Sequence, residues 1–184
     1  ITSDIYKHKL IDIEIDMNNL RIPKKYKKKV DIFILNHSLH HSKNPIKLLK
    51  KIKGMLNKKG MILINEPEIS FIFKFFLKVF NHERWDLDLR NINKRNFWLQ
   101  NNATGRILFG QKNKNKFIDK NFSIVKNELN ECTIFLNSGG NSVNSPHIKL
   151  NDFFLNLLDN FDDILINLFP KIFALNRRVV LKIK

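Results

Sequence analysis

The chain has 184 residues, enough for a single domain with its own core, and we predict one domain without internal repeats. Its 33 Lys and Arg against 17 Asp and Glu give a formal net charge of +16, which favours anionic partners such as phosphorylated substrates, nucleic acid or an acidic membrane surface. The one cysteine excludes an internal disulfide framework and a cysteine-cluster metal site.

The lysines are spread along the whole chain, so we interpret most of the charge as compositional bias and solvated surface rather than as a nucleic-acid face. No apolar run reaches the roughly 18 residues that span a bilayer. We expect a reducing, cytoplasmic location, with association at a membrane surface left open. The chain starts with Ile and reads as a strand almost at once, so we expect it to begin inside a larger polypeptide.

Four segments in the first third of the chain have strand patterns. Residues 2–5 and 10–16 are short and carry β-branched residues, with Asp4 near the carboxyl end of the first and Asp16 at the end of the second, which alternates apolar with acidic residues. Residues 30–36 and 61–67 are nearly continuous apolar runs, as in strands covered on both faces.

A helix is predicted between the two apolar strands. Asn44 can cap its amino end, Pro45 suits the first helical position, and "NKKG" is expected to stop it at Gly60. The residues on its apolar side are Ile46, Leu48, Leu49, Ile52, Met55 and Leu56.

A strand, a helix and a strand joined by tight loops form a βαβ unit with parallel strands, which makes the fold class α/β. Ligands of open α/β sheets bind outside the carboxyl ends of the strands. Four such ends carry polar residues here: Asp4, Asp16, the segment 36–41 and Glu66. The sequence therefore predicts a site at one edge of the sheet.

The rest of the chain is less regular. Residues 69–80 are predicted to form an apolar helix, and the Asn-rich segment from 81 to about 116 is interpreted as loops and a short helix that form a lid. Further elements are expected in the following order: strands in 122–129 and 132–142 ending in a Gly-Gly turn, a helix at 151–166 and a closing strand at 177–184.

Two acids are candidates for binding a nucleoside. Asp4 follows a short strand, where a carboxylate can accept hydrogen bonds from both ribose hydroxyls. Asp16 could accept a hydrogen bond from an adenine amino group while Met17 packs on the base. For either acid, the alternative is a strand-end Asp that caps a turn.

Three histidines follow the third strand, at His37, His40 and His41. Adjacent histidines on a regular element point in different directions, and no carboxylate or thiolate lies close in sequence, so the pattern argues against a metal. His41 or His40 could instead take a proton from a substrate hydroxyl, because the pKa of free imidazole lies near neutral pH. Packing or capping is the alternative.

Glu66 is a candidate base or hydroxyl partner at the same edge, and the alternative for it is a solvated acid at a strand end. His82 and Glu83 form a second polar pair after the apolar helix, where they could contact a substrate.

The segments "SDI", "DIEIDMNNL", "VDIFILNHSLHH" and "NPIKLLKKIKGMLNKKGMILINEP" resemble, in order and spacing, the second half of the core of class I S-adenosylmethionine-dependent methyltransferases of the type-11 group. The resemblance implies that Asp4 holds the cofactor ribose and that Asp16 and Met17 meet the adenine. It also places Asn36, where a strand opens into a histidine-bearing loop, among the cofactor-binding residues. The turn "LNKKG" keeps the Leu and the last Gly of the family pattern but lacks its Pro and first Gly.

The later segments "EPEISFIFKFFLKVFNHERWD" and "FLNSGGNS" resemble a subgroup with an H-H-E motif and an S-G-G turn, which we associate with surface-polysaccharide loci. The first His of that motif is Asn81 here, which leaves His82 and Glu83 as substrate residues. The family's Gly-rich loop has no counterpart, because the chain begins after the position where it would lie. We therefore expect this piece to bind cofactor poorly by itself.

The resemblance implies a Rossmann-like, doubly wound α/β sheet, mostly parallel with an antiparallel C-terminal strand and truncated at its amino end. We expect a core at 1–67, and a lid with C-terminal elements at 68–184. The implied activity is methyl transfer from S-adenosylmethionine to a small-molecule or carrier-linked acceptor, including a sugar, with His41 or Glu66 as base.

Two other functions are left open. A nucleic-acid methyltransferase would have lysines around the pocket mouth and salt-sensitive binding, but the sequence has no aromatic-basic recognition motif. A non-catalytic module could contact a membrane surface or a partner through "FIFKFFLKVF" at 71–80.

Overall fold

The computed structural model of the chain describes residues 3–4, 9, 13–14, 16–20, 24–80, 83–110, 115–137 and 148–184. Within these ranges the strands form a two-stranded sheet and a four-stranded sheet. None of the described helices is long and apolar enough to cross a bilayer.

The small sheet contains the first two predicted strands. Strand β1 (Ser3–Asp4) lies parallel to β2 (Ile13–Glu14), with Asp4 opposite Glu14. Asp16 therefore follows the carboxyl end of β2, and the backbone of Asp4 lies at the carboxyl end of the neighbouring strand.

The large sheet contains β3 (Val30–Asn36), β4 (Leu56–Pro67), β5 (Phe122–Asn130) and β6 (Asn176–Ile183), in the order β3-β4-β6-β5. Strands β3 and β4 are parallel, and β6 is antiparallel to both of its neighbours. In the described part of the chain β3, β4 and β5 thus run in one direction. The predicted Rossmann-like α/β fold, mostly parallel with an antiparallel C-terminal strand, is confirmed.

Helix α1 (Pro45–Met55) connects β3 to β4. As predicted, the Asn44 side chain caps it, accepting a hydrogen bond from the Lys47 amide at 2.9 Å, and Pro45 occupies the first turn. Its inward side is buried against the sheet through Leu48, Leu49, Ile52 and Met55.

The predicted helix stop at Gly60 is wrong, because α1 ends at Met55 and Leu56 already has extended backbone. Val30 lies opposite Leu56 but Ile32 lies opposite Met61, so residues 57–60 bulge out of the ladder. A Cβ on Gly60 would come within 2.8 Å of the Leu56 Cβ, which explains why the bulge needs glycine.

Helix α2 (Phe71–Val79) begins two residues later than predicted and is capped by Ser70, which accepts a hydrogen bond from the Phe73 amide at 3.2 Å. One side of α2 is buried through Phe73 and Leu77. The opposite side carries the apolar residues Phe71, Phe75 and Val79 into solvent, and Phe80, just past the end of the helix, is exposed as well.

The predicted lid is wrong for residues 101–109. Helix α3 (Thr104–Phe109) packs against β4, β6 and the loop after β3, and Asn101 and Thr104 are completely buried. A Cβ on Gly105 would lie 3.0 Å from the Glu66 Cβ, so this glycine allows α3 to approach the end of β4. The segment is part of the core. Helix α4 (Lys116–Asn121) follows it and leads into β5.

The predicted strand at 132–142 is also wrong within the described residues, which form helix α5 (Thr133–Asn137), while Gly139 and Gly140 lie outside them. The buried Asp162 carboxylate accepts hydrogen bonds from the backbone amides of residues 132, 133 and 134 and so fixes the amino end of α5.

Asp162 belongs to helix α6 (Asp152–Leu168), which confirms the predicted helix and its cap at Asn151. Helix α7 (Pro170–Phe173) then leads into β6.

Candidate active site

The loop after β3 carries the three histidines at the carboxyl edge of the large sheet. His37 has a left-handed backbone with φ of 44°, and its amide donates to the Asn65 carbonyl of β4 at 2.7 Å. The chain then makes a 3₁₀ turn at Leu39–His41 before α1 begins. The strand thus stops in a tight, hydrogen-bonded corner.

Glu66 holds this corner in place. Its carboxylate is completely buried and accepts hydrogen bonds from the amides of Ser38 at 2.9 Å, Leu39 at 2.7 Å and His40 at 3.1 Å. It also lies 2.7 Å from Nδ1 of His40. Because four donors converge on one carboxylate, the end of β4 determines the shape of the loop that follows β3.

His40 lies between two carboxylates. Its Nδ1 faces Glu66, and its Nε2 is 3.4 Å from Oε2 of Glu83. Burial by itself disfavours the charged imidazole, but the Glu66 charge and hydrogen bond, together with Glu83, raise the pKa of His40 to about 9. At neutral pH, without other ligands, the imidazole carries the proton that joins the two acids.

His41 points to the same Glu83, with Nδ1 at 3.6 Å from Oε1, and 42% of its side chain is exposed. The rings of His40 and His41 are 4.2 Å apart between centroids. Two sequence arguments against a metal at this loop therefore do not hold. The tight turn brings adjacent imidazoles to one side, and Glu83 supplies a carboxylate from far along the chain.

A buried asparagine that the sequence did not indicate, Asn102, contacts both Glu83 and Arg84. Asn102 lies with its side-chain nitrogen 3.4 Å from Oε2 of Glu83, and its backbone amide donates to the Arg84 carbonyl at 3.1 Å. Its neighbour Asn101 donates from the backbone to the His40 carbonyl at 3.3 Å. The only sequence signal for these contacts is the Asn-Asn pair before α3.

The segment after β2 meets the same edge. Asp16 accepts a hydrogen bond from the Asn18 amide at 2.8 Å and caps a 3₁₀ turn at Met17–Asn19. The Asn18 side chain accepts from the Lys43 amide at 2.7 Å, just after the histidine turn. The Lys51 ammonium of α1 donates to the Leu20 carbonyl at 2.9 Å. These contacts place Asp16 and the half-buried Met17 beside the start of α1.

The other predicted site residues lie as follows. Asn36 is exposed at the last position of β3 and accepts a hydrogen bond from the Asn65 side chain at 3.0 Å. Asp4 is the last residue of β1, and His82 lies outside the described residues. The pKa of His37 is lowered, mainly by burial, and the nearby charge of Glu66 only partly offsets this.

A groove of about 600 Å³ lies at the opposite, amino-terminal edge of the large sheet. Lys28, Lys53, Lys58 and Lys59 are among its lining residues. The polar cluster of Glu66, His40, His41 and Glu83 is therefore separate from it.

No protein-family model and no curated protein matches the chain. Its fold is similar to that of the crystal structure of MccD protein, with a TM-score of 0.43 and 14% identity over 93% of this chain and 66% of that one. It is also similar to a SAM-dependent methyltransferase from Archaeoglobus fulgidus, with a TM-score of 0.41 and 13% identity over 85% of this chain and 61% of that one. The chain thus spans less than two thirds of the length of either protein, and at these identities the likeness is one of fold.

Proposed function

We propose that this chain forms part of an S-adenosylmethionine-dependent methyltransferase that acts on a small-molecule or carrier-linked acceptor, including a sugar. The observation that carries the proposal is the hydrogen bond between the Asn18 side chain and the Lys43 amide. It joins the segment after β2 to the loop after β3, at the edge where open α/β sheets bind their ligands.

On the cofactor side, the proposal assigns Asp16 and Met17 to the adenine, Asp4 to the ribose and Asn36 to the crevice edge. The support is the exposure of the Asp16 carboxylate and the partial burial of Met17 against the core, which leave an acid and an apolar surface side by side. A purine needs both, because its amino group donates a hydrogen bond and its faces are apolar.

On the acceptor side, His41 is the proposed base. It is the most exposed of the polar cluster, so an acceptor hydroxyl can reach it. Glu66 is reassigned from base to positioning residue, because it is completely buried and four donors occupy its oxygens. His40 and Glu83 orient the neighbouring ring of His41.

The methyl transfer itself requires few chemical groups from the protein. Bound S-adenosylmethionine would supply the methyl group, and the protein would contribute mainly by holding the acceptor oxygen close to it, because proximity supplies most of the rate. The net charge of +16 suits an acceptor or carrier that bears phosphate.

Calorimetric titration of S-adenosylmethionine tests the cofactor assignment. It uses the polypeptide as its gene encodes it, so that any residues preceding Ile1 stay in place. We expect a dissociation constant between about 1 μM and 1 mM, the usual range of enzyme KM values. Asp16→Ala should weaken binding. Asp31→Ala is the matched control, since Asp31 is an exposed acid at the opposite edge of the sheet. Absence of binding by the folded wild-type protein would defeat the proposal.

Transfer of a labelled methyl group to candidate sugar or phosphorylated acceptors tests the base. His41→Ala should lower kcat by about 10²- to 10⁴-fold, the usual contribution of a general base, while leaving cofactor affinity unchanged. His37→Asn should retain activity, because Asn tolerates the left-handed backbone at this position. Equal rates for His41→Ala and the wild type would remove His41 from the mechanism.

A second candidate function, contact with a membrane surface, is favoured by the outer side of α2. Phe71 and Phe75 are 69% and 60% exposed, and Lys74 and Lys78 lie on the same helix. Aromatic rings flanked by lysines suit an anionic bilayer interface. Sedimentation with anionic vesicles should carry down the wild type but not Phe71→Ser/Phe75→Ser. Val125→Ser, at an exposed apolar position on β5, is the control. No sedimentation of the wild type would dismiss this candidate.

A further inference from the structure

We propose that His40, His41 and Glu83 bind a zinc-class divalent cation through Nε2 of His40, Nδ1 of His41 and a carboxylate oxygen of Glu83. The inference does not rest on the proposed methyl transfer, because binding of the ion requires neither cofactor nor acceptor. In the ion-bound protein Nδ1 of His41 is a ligand and is not available to take a proton. Among the His, Cys, Asp and Glu residues that the structure describes, these three form a group whose potential ligand atoms all lie within 4.8 Å of one another.

The spacing of the potential ligand atoms fits one small ion. Nε2 of His40 is 3.4 Å from one oxygen of Glu83, and Nδ1 of His41 is 3.6 Å from the other. In a tetrahedral zinc site with bonds of about 2.0–2.2 Å, neighbouring ligand atoms lie about 3.4 Å apart. The two distances run to different oxygens of Glu83, and the three ligand atoms lie within 4.8 Å of one another, so the side chains must draw together to reach this spacing around one ion.

The surroundings of His40 are those of a metal ligand. Metal-bound histidines usually donate the second ring N–H to a carboxylate, which fixes the tautomer and the ring orientation. Nδ1 of His40 lies 2.7 Å from the buried Glu66 carboxylate, which also accepts the His40 backbone amide at 3.1 Å. Glu66 thus presents Nε2 of His40 toward Glu83.

The Asn102 side chain also contacts Glu83, with its Nδ2 atom 3.4 Å from Oε2 of Glu83. The side chain of His40 is 5% exposed, that of Glu83 is 18% exposed and that of His41 is 42% exposed. The cluster is therefore rigid on its inner side and open to solvent on its outer side, so that an ion can enter from solution.

The donor set selects the class of ion. Two imidazole nitrogens and one carboxylate suit Zn²⁺ and its neighbours, whereas Mg²⁺ and Ca²⁺ prefer oxygen donors alone. Three protein ligands leave one tetrahedral position for water or for an oxygen of a substrate. The net charge of +16 disfavours non-specific cation binding, so a tight site must come from specific ligands.

Titration with Co²⁺ and Zn²⁺ tests the site. The full-length protein is first stripped with a chelator and dialysed near pH 7.5. Co²⁺ should then produce the visible absorption of a tetrahedral ion, and Zn²⁺ should abolish it at one equivalent per chain. His41→Ala and Glu83→Gln should each weaken Zn²⁺ binding by at least tenfold, roughly the loss seen even when outer partners of a ligand are removed.

His37→Asn is the matched control, because His37 lies in the same loop outside the cluster, and it should bind Zn²⁺ as the wild type does. A measurement on the wild type avoids variants that fold poorly. Nitrogen-15 spectra of its histidines should show Zn²⁺ shifting Nε2 of His40 and Nδ1 of His41. The proposal is overturned if the folded wild type binds no Zn²⁺, if both ligand variants bind it unchanged, or if other histidines shift instead.

Discussion

Nδ1 of His40 lies 2.7 Å from Oε2 of Glu66, and this contact joins the loop after β3 to the end of β4. Glu66 is completely buried, so its charge is stabilised by His40 and by three backbone amides rather than by water. The acid at the end of β4 therefore determines the shape of the loop after β3 and is closed to solvent.

Replacing Glu66 tests this structural role. Glu66→Gln should lower the free energy of unfolding by about 3–5 kcal/mol, because the buried His40 loses its partner and the amide NH₂ faces backbone donors. Urea denaturation measures the change. The control is Glu128→Gln on β5, an acid about half exposed and paired with Lys126, which should change stability by less than about 0.5 kcal/mol. Equal effects of the two substitutions would contradict the assigned role.

The attachment of α5 to α6 gives a second prediction. Asp162 accepts hydrogen bonds from three amides and from the Thr133 hydroxyl at 2.6 Å. Asp162→Ala should therefore speed hydrogen exchange at the amides of residues 132–134 and destabilise the fold by about 1–3 kcal/mol, the cost of leaving buried donors unpaired. Asp163→Ala changes the exposed neighbour and should leave exchange at these amides unchanged. Slow exchange in both variants would show that α5 is held by other contacts.

The pKa of His37 predicts an acid-dependent loss of stability. Burial lowers this pKa below 6.5 in the folded protein, so the unfolded chain binds the proton more tightly. The contribution of His37 to stability is therefore lost as the pH falls below about 6.5. His37→Asn removes the titrating ring. As the pH is lowered from 7.5 to 5, the Tm of this variant minus the Tm of the wild type should therefore increase. A difference in Tm that is independent of pH would contradict the lowered pKa.

The elements that the sequence predicts well are those with local causes. Strands β3 and β4 follow from continuous apolar runs, and α1 follows from the cap at Asn44 and the proline after it. The errors arise where a residue far along the chain determines the local secondary structure. The segment after Cys132 has the β-branched and aromatic residues of a strand, yet it forms a helix because Asp162 binds its first amides.

The candidate site contains contacts of both kinds. The Asn18–Lys43 hydrogen bond joins the segment after β2 to the segment after β3, although the two strands belong to different sheets. The pairing of Glu83 with the two histidines was not predicted, since Glu83 follows α2 and its position depends on Asn102. The polar segment before α3 resembles a surface loop in sequence, but Asn101 and Thr104 are fully buried in the core.

Hydrogen exchange of the polypeptide as its gene encodes it, with and without S-adenosylmethionine, tests the central claim most directly, namely that the segments after β2 and β3 form one cofactor crevice. The account predicts slower exchange in both segments, at residues 16–20 and 37–44, and no change at residues 57–59 beside the opposite groove. Protection confined to residues 57–59, or no protection at saturating cofactor, would contradict it.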